Sequence, residues 1–148
     1  MASNYLIRRC GNTSAGSRTT ATYSFWMKRH DIQKNDDSTA CYFLGTHNEE
    51  GSNTTNRFDI RFRENKLWCI SSSSYIFTTD TIFTDTTSWM HIVIGIAQGA
   101  SGNNKYKVWV NGSLLDTDNF TNKQLTSGNL GFGAANETIS IGYSTHDN

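Results

Sequence analysis

The sequence of 148 residues has no proline, no net charge and no long apolar run. The absence of proline removes a common means of blocking a sheet edge, since proline lacks the N–H group that an added strand would pair with. Thirteen basic and thirteen acidic residues cancel, so the chain offers no overall field for nucleic acid or an anionic membrane. Any partner must therefore be recognised by local features of the surface.

The chain also has few cysteines and no export signal that we can identify. Cys10, Cys41 and Cys69 are odd in number, far apart and without a C-x-x-C pair, which argues against a disulfide framework and a zinc site. The first residues, MASNYLIRRCGNTS, contain only short apolar runs, whereas a secretory signal needs about 7–15 consecutive apolar residues. We expect a chain without a signal peptide or a membrane span, made in a reducing cytosol.

Helical periodicity is missing as well, because apolar residues do not recur at i, i+3, i+4 and i+7 over any window of a dozen residues. Short β-rich runs recur instead at about 8–12 residues, a spacing typical of an all-β sandwich or barrel. We expect one domain, residues 1–148. The predicted strands are 5–8, 20–29, 40–45, 57–63, 66–70, 75–78, 90–97, 105–110, 113–116, 130–133 and 138–143.

Two segments predict hairpins. In FDIRFRENKLWCI (58–70), apolar residues alternate with Asp59, Arg61 and Arg63, which predicts a hairpin with one face in water and a turn at Glu64-Asn65. In KYKVWVNGSLLD (105–116), the pair Asn-Gly at 111–112 predicts a type I′ turn, since that turn needs positive φ at both central residues.

Trp109 breaks the alternation of the second segment. It shares the face of Lys105 and Lys107, where a polar side chain is expected. Trp109 is either a stacking platform for a sugar or part of a second packed face, with the apolar stems of the two lysines beside its ring.

No catalytic pattern is evident. Acid–base cleavage of a glycosidic bond needs two carboxyls about 5–10 Å apart, which on one strand means residues of equal parity. Glu49 and Glu50 are adjacent, and Asp59 and Glu64 have opposite parity. There is no G-x-S-x-G elbow and no Cys–His signature. We therefore expect no catalytic residues and a protein that is not an enzyme.

Sugar recognition calls for aromatic faces beside amide groups. By residue type, the predicted ligand-binding residues are Trp68, Tyr75, Asn48 and Tyr143. Each aromatic residue could equally belong to the core, because large aromatic side chains dominate sandwich interiors.

Calcium is the one candidate cofactor, because hard cations prefer carboxylate and carbonyl oxygens supplied by loops. The predicted ligands are Asp36, Asp37, Glu49 and Glu50. The alternative is that these loop acids are simply solvated.

Four motifs resemble, in order, the concanavalin A-like, laminin G-like jelly-roll domains of phage and large aquatic virus structural and tail-fibre proteins. They are YLIRR followed by RTTATYSFWMKR, then SWMHIV, KVWVNG and ISIGY. The matching residues are Ser24, Trp26, Lys28, Arg29, Trp89, His91, Val93, Val110, Asn111, Gly112, Ile141 and Gly142. The resemblance implies a sandwich of two curved antiparallel sheets that binds carbohydrate or protein at a rim or on the concave face, with these residues mostly as framework.

The resemblance also implies a setting. We expect a non-catalytic, virion-associated module that recognises a glycan or glycoprotein on the host surface; the alternatives are a purely structural capsid or fibre component bound to other virion proteins and, as a minor one, a glycoside-active enzyme. Related domains continue after Ile141-Gly142 with a further strand, so we expect that strand to be missing or supplied by a neighbour through strand addition or in a homo-oligomer. They carry Tyr at the position of Trp109, which favours packing there.

Overall fold

The computed structural model describes residues 6–9, 17–29, 41–48, 58–71, 74–116, 120–121, 129–132 and 137–142. Within these ranges the chain forms ten strands and a short 3-10 helix, Gly102–Lys105. The strands are β1 (Leu6–Arg9), β2 (Thr20–Met27), β3 (Cys41–Asn48), β4 (Phe58–Arg63), β5 (Lys66–Ser71), β6 (Ser74–Thr78), β7 (Met90–Ala97), β8 (Tyr106–Val110), β9 (Ser113–Leu114) and β10 (Glu137–Ile141). In these described ranges, no helix has the length and hydrophobicity needed to cross a lipid bilayer.

The strands form two antiparallel sheets, which confirms the predicted all-β sandwich. The six-stranded sheet has the order β1-β10-β3-β4-β5-β6, and the four-stranded sheet has the order β2-β7-β8-β9. The predicted strand 130–133 is wrong over its described residues, 130–132, which are irregular. Their polar groups bond elsewhere: the Leu130 N–H donates to the Arg18 carbonyl, and the Gly131 N–H donates to Ser71 Oγ.

An aromatic and aliphatic core fills the space between the sheets. Tyr23 of β2 stacks on Phe58 of β4, with ring centroids 5.2 Å apart. β7 buries Ile92, Ile94 and Ile96, because successive strand side chains point to opposite faces. Burial of each such side chain contributes about 1.5–3 kcal/mol. The same alternation directs the remaining side chains of β7 away from the core.

The β4–β5 hairpin turns where the sequence predicts, but it has no face in water. Glu64 and Asn65 adopt positive φ angles of 53° and 59°. Asp59 and Arg61 are only 1% and 8% exposed, so the prediction of a wet face is wrong. The Arg61 guanidinium lies over the Tyr42 ring, 5.1 Å from its centroid. A planar cation can be covered in this way because it stacks on aromatic rings.

Arg29 ties the end of β2 to the opposite sheet. Its guanidinium donates to the Phe83 carbonyl and, at 2.9 Å, to Asn65 Oδ1 in the β4–β5 turn. It also lies 4.8 Å from the centroid of the Phe62 ring. Arg29 is 5% exposed, so these contacts replace the water that the charge would otherwise bind.

The turn between β8 and β9 also forms where the sequence predicts. Asn111 and Gly112 have φ angles of 51° and 82°. The Asn111 N–H donates to the His91 carbonyl, and Asn111 Oδ1 accepts from the His91 N–H, both at 2.8 Å. These two bonds close the end of the β7–β8 pair.

Candidate functional site

Large apolar side chains are exposed on the outer face of the four-stranded sheet. Trp26 of β2 is 65% exposed and Leu114 of β9 is 54% exposed. Trp89, 63% exposed, directly precedes β7 and has the parity of His91, while Leu114 is paired with Trp109. We call Trp26, Trp89, His91, Trp109 and Leu114 the outer aromatic surface. Exposed apolar groups gathered on one face are a mark of binding surfaces.

Trp26 is held in place by its neighbour across the β2–β7 pair. It is paired with His91 in the strand register, and the two rings stack with centroids 4.9 Å apart and planes 17° apart. A hydrogen bond of 2.9 Å joins His91 Nε2 to Ser24 Oγ. Because His91 is bonded on its backbone and its ring, the face that supports Trp26 has little freedom to rotate. Trp26 therefore presents an exposed ring that is ordered before any ligand binds.

Trp109 is paired with Val93 of β7 and packs diagonally over Gly95, which is two residues further along that strand. A Cβ atom added at Gly95 would stand 3.5 Å from Trp109 Cζ3, so the ring packs close to the β7 backbone and is half-buried. This placement agrees with the predicted packing role. The expected position of Lys105 beside the ring is wrong: Lys105 is buried at the end of the 3-10 helix, and its Nζ donates to the Gln98 carbonyl at 2.7 Å.

A cavity of about 270 Å³ opens at the rim of the sandwich, next to Trp89. We call it the rim cavity. It is lined by Ile82, Phe83, Thr84, Asp85, Ser88, Trp89, Met90, Val110 and Asn111. Ile82 is 60% exposed, so two large apolar side chains stand at the opening together with a carboxylate, a hydroxyl and an amide. The rim cavity adjoins the outer aromatic surface through Trp89.

The carboxylate of the rim cavity is fixed by its own loop. Asp85 Oδ1 accepts from the Thr87 N–H and the Thr87 hydroxyl, each at 2.7 Å, and from the Ser88 N–H at 3.2 Å. These bonds, those from Thr87 first, hold the pKa of Asp85 well below its usual value. Asp85 therefore stays negatively charged throughout the physiological range.

A second opening, of about 370 Å³, lies between the sheets beside β2 and is mainly apolar. We call it the apolar opening. It is lined by Tyr23, Ser24, Phe25, Trp26, Met27, Phe43, Leu44 and Ile141. β2 is the edge strand of its sheet, and the described residues pair with it only on the β7 side. Ile141, across the opening, is 51% exposed.

The predicted ligand residues are not brought together in the part of the chain that the structure describes. Trp68 is 8% exposed and packs beneath the guanidinium of Arg63, which lies 5.0 Å from the centroid of its ring, so it offers no open ring face to a sugar. Asn48 ends β3 and Tyr75 lies in β6, and these strands are separated by β4 and β5. The side chains of Asn48 and Tyr75 and the whole of Tyr143 lie outside the described residues.

The predicted calcium ligands Asp36, Asp37, Glu49 and Glu50 also lie outside the described residues. Within the described ranges, no group of three or more His, Cys, Asp or Glu side chains is arranged to hold a metal ion. Calcium binding stays a prediction.

Sequence reasoning missed Trp26, Trp89 and Asp85 as candidate ligand residues. The signal for Trp26 is present in TATYSFWM, where it shares the parity of Thr22 and Ser24, just as Trp109 shares the parity of the lysines. The expectation that the shared motif residues are mostly framework does not suit Trp26 and Trp89, whose rings are largely exposed.

Comparison with known proteins shows the fold. No protein-family model matches the chain, and no curated protein matches it. The chain is similar to a native heptameric SAP-like pentraxin from Limulus polyphemus, with TM-score 0.55, 13% identity and 95% of this chain covered. It spans only 64% of the length of that pentraxin chain.

Two further solved structures are similar at lower scores. One is the CBM40 module of the Ruminococcus gnavus IT-sialidase, solved with α2,3 sialyllactose, with TM-score 0.48, 12% identity and coverage of 86% of this chain and 78% of that one. The other is an alginate lyase of polysaccharide lyase family 7, with TM-score 0.41, 16% identity and coverage of 93% and 64%. The jelly-roll, concanavalin A-like part of the sequence resemblance is confirmed. The phage or viral setting stays a prediction.

Proposed function

We propose that this domain is a non-catalytic carbohydrate-binding module and that sugar rings stack on its outer aromatic surface. The observation that carries the proposal is the stack of Trp26 on His91, which holds a ring that is 65% exposed. An indole fixed in this way gives the C–H face of a sugar ring an apolar platform without the entropic cost of ordering it. Ser24 and Asn111 flank the stack with polar groups.

We further propose, from the sequence resemblance, that the module belongs to a virion and recognises glycans or glycoproteins on the host surface. The neutral net charge is compatible with such a role, because recognition then depends on local stacking and hydrogen bonds.

Glycan-array screening of the purified chain, with and without a calcium chelator, tests the proposal. We expect binding to a restricted set of glycans and a loss of about tenfold or more in Trp26→Ala, which corresponds to about 1.4 kcal/mol. Ile141→Ala is the matched control, since Ile141 is also a large exposed apolar residue but belongs to the six-stranded sheet. An absence of binding to any glycan of a broad array, with and without the chelator, would contradict the proposal.

A second candidate function, a structural component that binds other virion proteins or further copies of itself, is favoured by the apolar opening. A strand added to the edge of β2 would cover the half-buried Phe25 and Met27 and the exposed Ile141. Sedimentation analysis separates the candidates: association that Ile141→Asp abolishes and that Trp89→Ala leaves unchanged selects the structural role, because Trp89 does not line the apolar opening. A monomer at high concentration that still binds glycans selects the first.

A further inference from the structure

We infer that the rim cavity is a subsite for one neutral sugar unit and that Asp85 makes it reject acidic sugars. The inference rests on the proposed function, because it assigns a ligand class to a site that continues the outer aromatic surface.

The size and walls of the rim cavity suit a single sugar unit. Its volume of about 270 Å³ lies just below the roughly 300–1,000 Å³ of pockets that hold drug-sized ligands, so it suits a smaller ligand such as one sugar unit. Trp89 and Ile82 supply apolar walls that remain 63% and 60% exposed. Such walls pack against sugar C–H groups, while a few polar groups set the orientation of a ligand.

The polar groups of the cavity are held by bonds that leave them able to bind hydroxyls. Asp85 is a pure acceptor whose Oδ1 is anchored by Thr87 and Ser88. Asn111 uses Oδ1 to accept from the His91 N–H, and its amide nitrogen is a donor. A sugar hydroxyl can donate to the Asp85 carboxylate and accept from the Asn111 amide, so the pair suits a ligand with neighbouring hydroxyl groups.

The charge of Asp85 sets the selectivity. The carboxylate of an acidic sugar placed in the cavity would lie within a few ångströms of it, where like charges repel. Two cations follow β2, and neither lines the cavity: Lys28 is exposed, and Arg29 is buried with its guanidinium bonded to the Phe83 carbonyl and to Asn65. A neutral sugar meets no such repulsion and gains a charge-assisted hydrogen bond.

The position of the cavity links it to the stacked ring of Trp26. Trp89 lies two residues before His91 on the same face, and Asn111 is bonded to His91. An oligosaccharide stacked on Trp26 therefore reaches the rim cavity by crossing His91, and its terminal unit enters the cavity.

The test uses an array on which neutral oligosaccharides are paired with counterparts that carry an added acidic sugar, lactose with α2,3-sialyllactose among them. We expect the wild-type chain to favour the neutral members by about tenfold or more. Asp85→Asn removes the charge but keeps an oxygen that can accept from Thr87 and Ser88. We expect this variant to reduce the ratio of neutral to acidic ligand affinity to less than about threefold. Circular dichroism and thermal melting confirm that the variant is folded.

The four tryptophans provide a direct readout in solution. On titration with the best neutral ligand of the array, the indole N–H signals of Trp26 and Trp89 are expected to shift, and that of the buried Trp68 is expected to stay. Trp89→Ala is expected to weaken the binding of neutral ligands without changing the fold, since the side chain of Trp89 is exposed.

The outcomes distinguish a failure of the inference about the rim cavity from a failure of the proposed carbohydrate-binding function. If the wild type binds acidic members as well as neutral ones, or if Asp85→Asn leaves the ratio unchanged, the inference about the cavity is overturned. A loss of binding in Trp26→Ala would then still support the carbohydrate-binding function. Absence of binding to every glycan would overturn both.

Discussion

Trp26 and His91 stack across the β2–β7 pair with their ring planes 17° apart, so the most exposed aromatic side chain of the outer face rests on a ring bonded to Ser24. The residue that supports the exposed Trp26 ring is therefore a histidine, although its position on the outer face of β7 alone would suggest a solvated side chain. Two interactions therefore order the Trp26 ring: its stack on His91 and the hydrogen bond to Ser24 that orients the His91 ring.

Substitution of His91 tests these contributions. We expect His91→Phe to retain glycan binding within about threefold, since a phenyl ring can still stack beneath Trp26. We expect His91→Ala to weaken it by about tenfold, because the indole then loses its support and must be ordered on binding. Calorimetric titration of both variants is the measurement. Equal binding by the two would mean that the stack does not order Trp26.

Gly95 sets the height of the Trp109 ring above β7. A methyl group at this position would lie 3.5 Å from Trp109 Cζ3, which is an ordinary van der Waals contact. We expect Gly95→Ala to fold normally and to raise the free energy of unfolding by about 0.4–1 kcal/mol, because the unfolded chain loses freedom. Gly95→Leu is expected to displace the Trp109 ring and to lower the free energy of unfolding. Urea unfolding measures both, and a destabilised alanine variant would contradict the geometry.

Loss of the Arg29 side chain is expected to destabilise the fold. Arg29→Met removes the bonds to Asn65 and Phe83 while keeping an apolar stem over Phe62. We expect the free energy of unfolding to fall by about 2–4 kcal/mol, since two buried acceptors lose a charged donor. Lys28→Met is the control, because Lys28 is exposed and should change stability by less than about 0.5 kcal/mol.

The raised pKa of Tyr106 predicts that the free energy of unfolding falls at high pH. Burial raises the pKa of Tyr106 to about 12, although the hydrogen bond from Gln98 acts in the opposite direction. Between about pH 10 and 12 the unfolded chain releases this phenolic proton while the folded chain keeps it, so the free energy of unfolding falls as pH rises. The slope approaches about 1.4 kcal/mol per pH unit.

The variant Tyr106→Phe isolates that contribution. We expect it to be less stable than the wild type at pH 8, because the Gln98 amide loses its acceptor. We also expect the difference to shrink as pH rises towards about 12. Urea titrations at about pH 8, 10 and 11.5 measure it, and a constant difference would show that Tyr106 titrates normally.

Local features of the fold were predictable from the sequence, and features that depend on distant segments were not. The Asn111-Gly112 turn follows from the backbone angles that those two residues tolerate, and β7 follows from its short β-rich run. Burial of Asp59 and Arg61 was not predictable, because alternation assigns a side chain to a face without telling what covers that face. The rings of Tyr42 and Trp68, which cover Arg61, come from other strands.

The candidate site shows the same division. Parity assigned Trp109 to the outer face, and it would have assigned Trp26 there as well. That Trp109 packs over Gly95 while Trp26 stays exposed depends on the register of β7 against its two neighbours. The rim cavity depends on a loop that brings Asp85 to the same cavity as Asn111, a residue far from it in sequence.

Asn111 forms the β8–β9 turn, accepts the His91 N–H and lines the rim cavity. A chain whose β7–β8 pairing has frayed at this end loses one wall of the cavity and the support of the Trp26 stack together. Ligand binding would then report on completed folding of this edge, and a bound glycan would protect the amide protons of His91 and Asn111 from exchange with solvent.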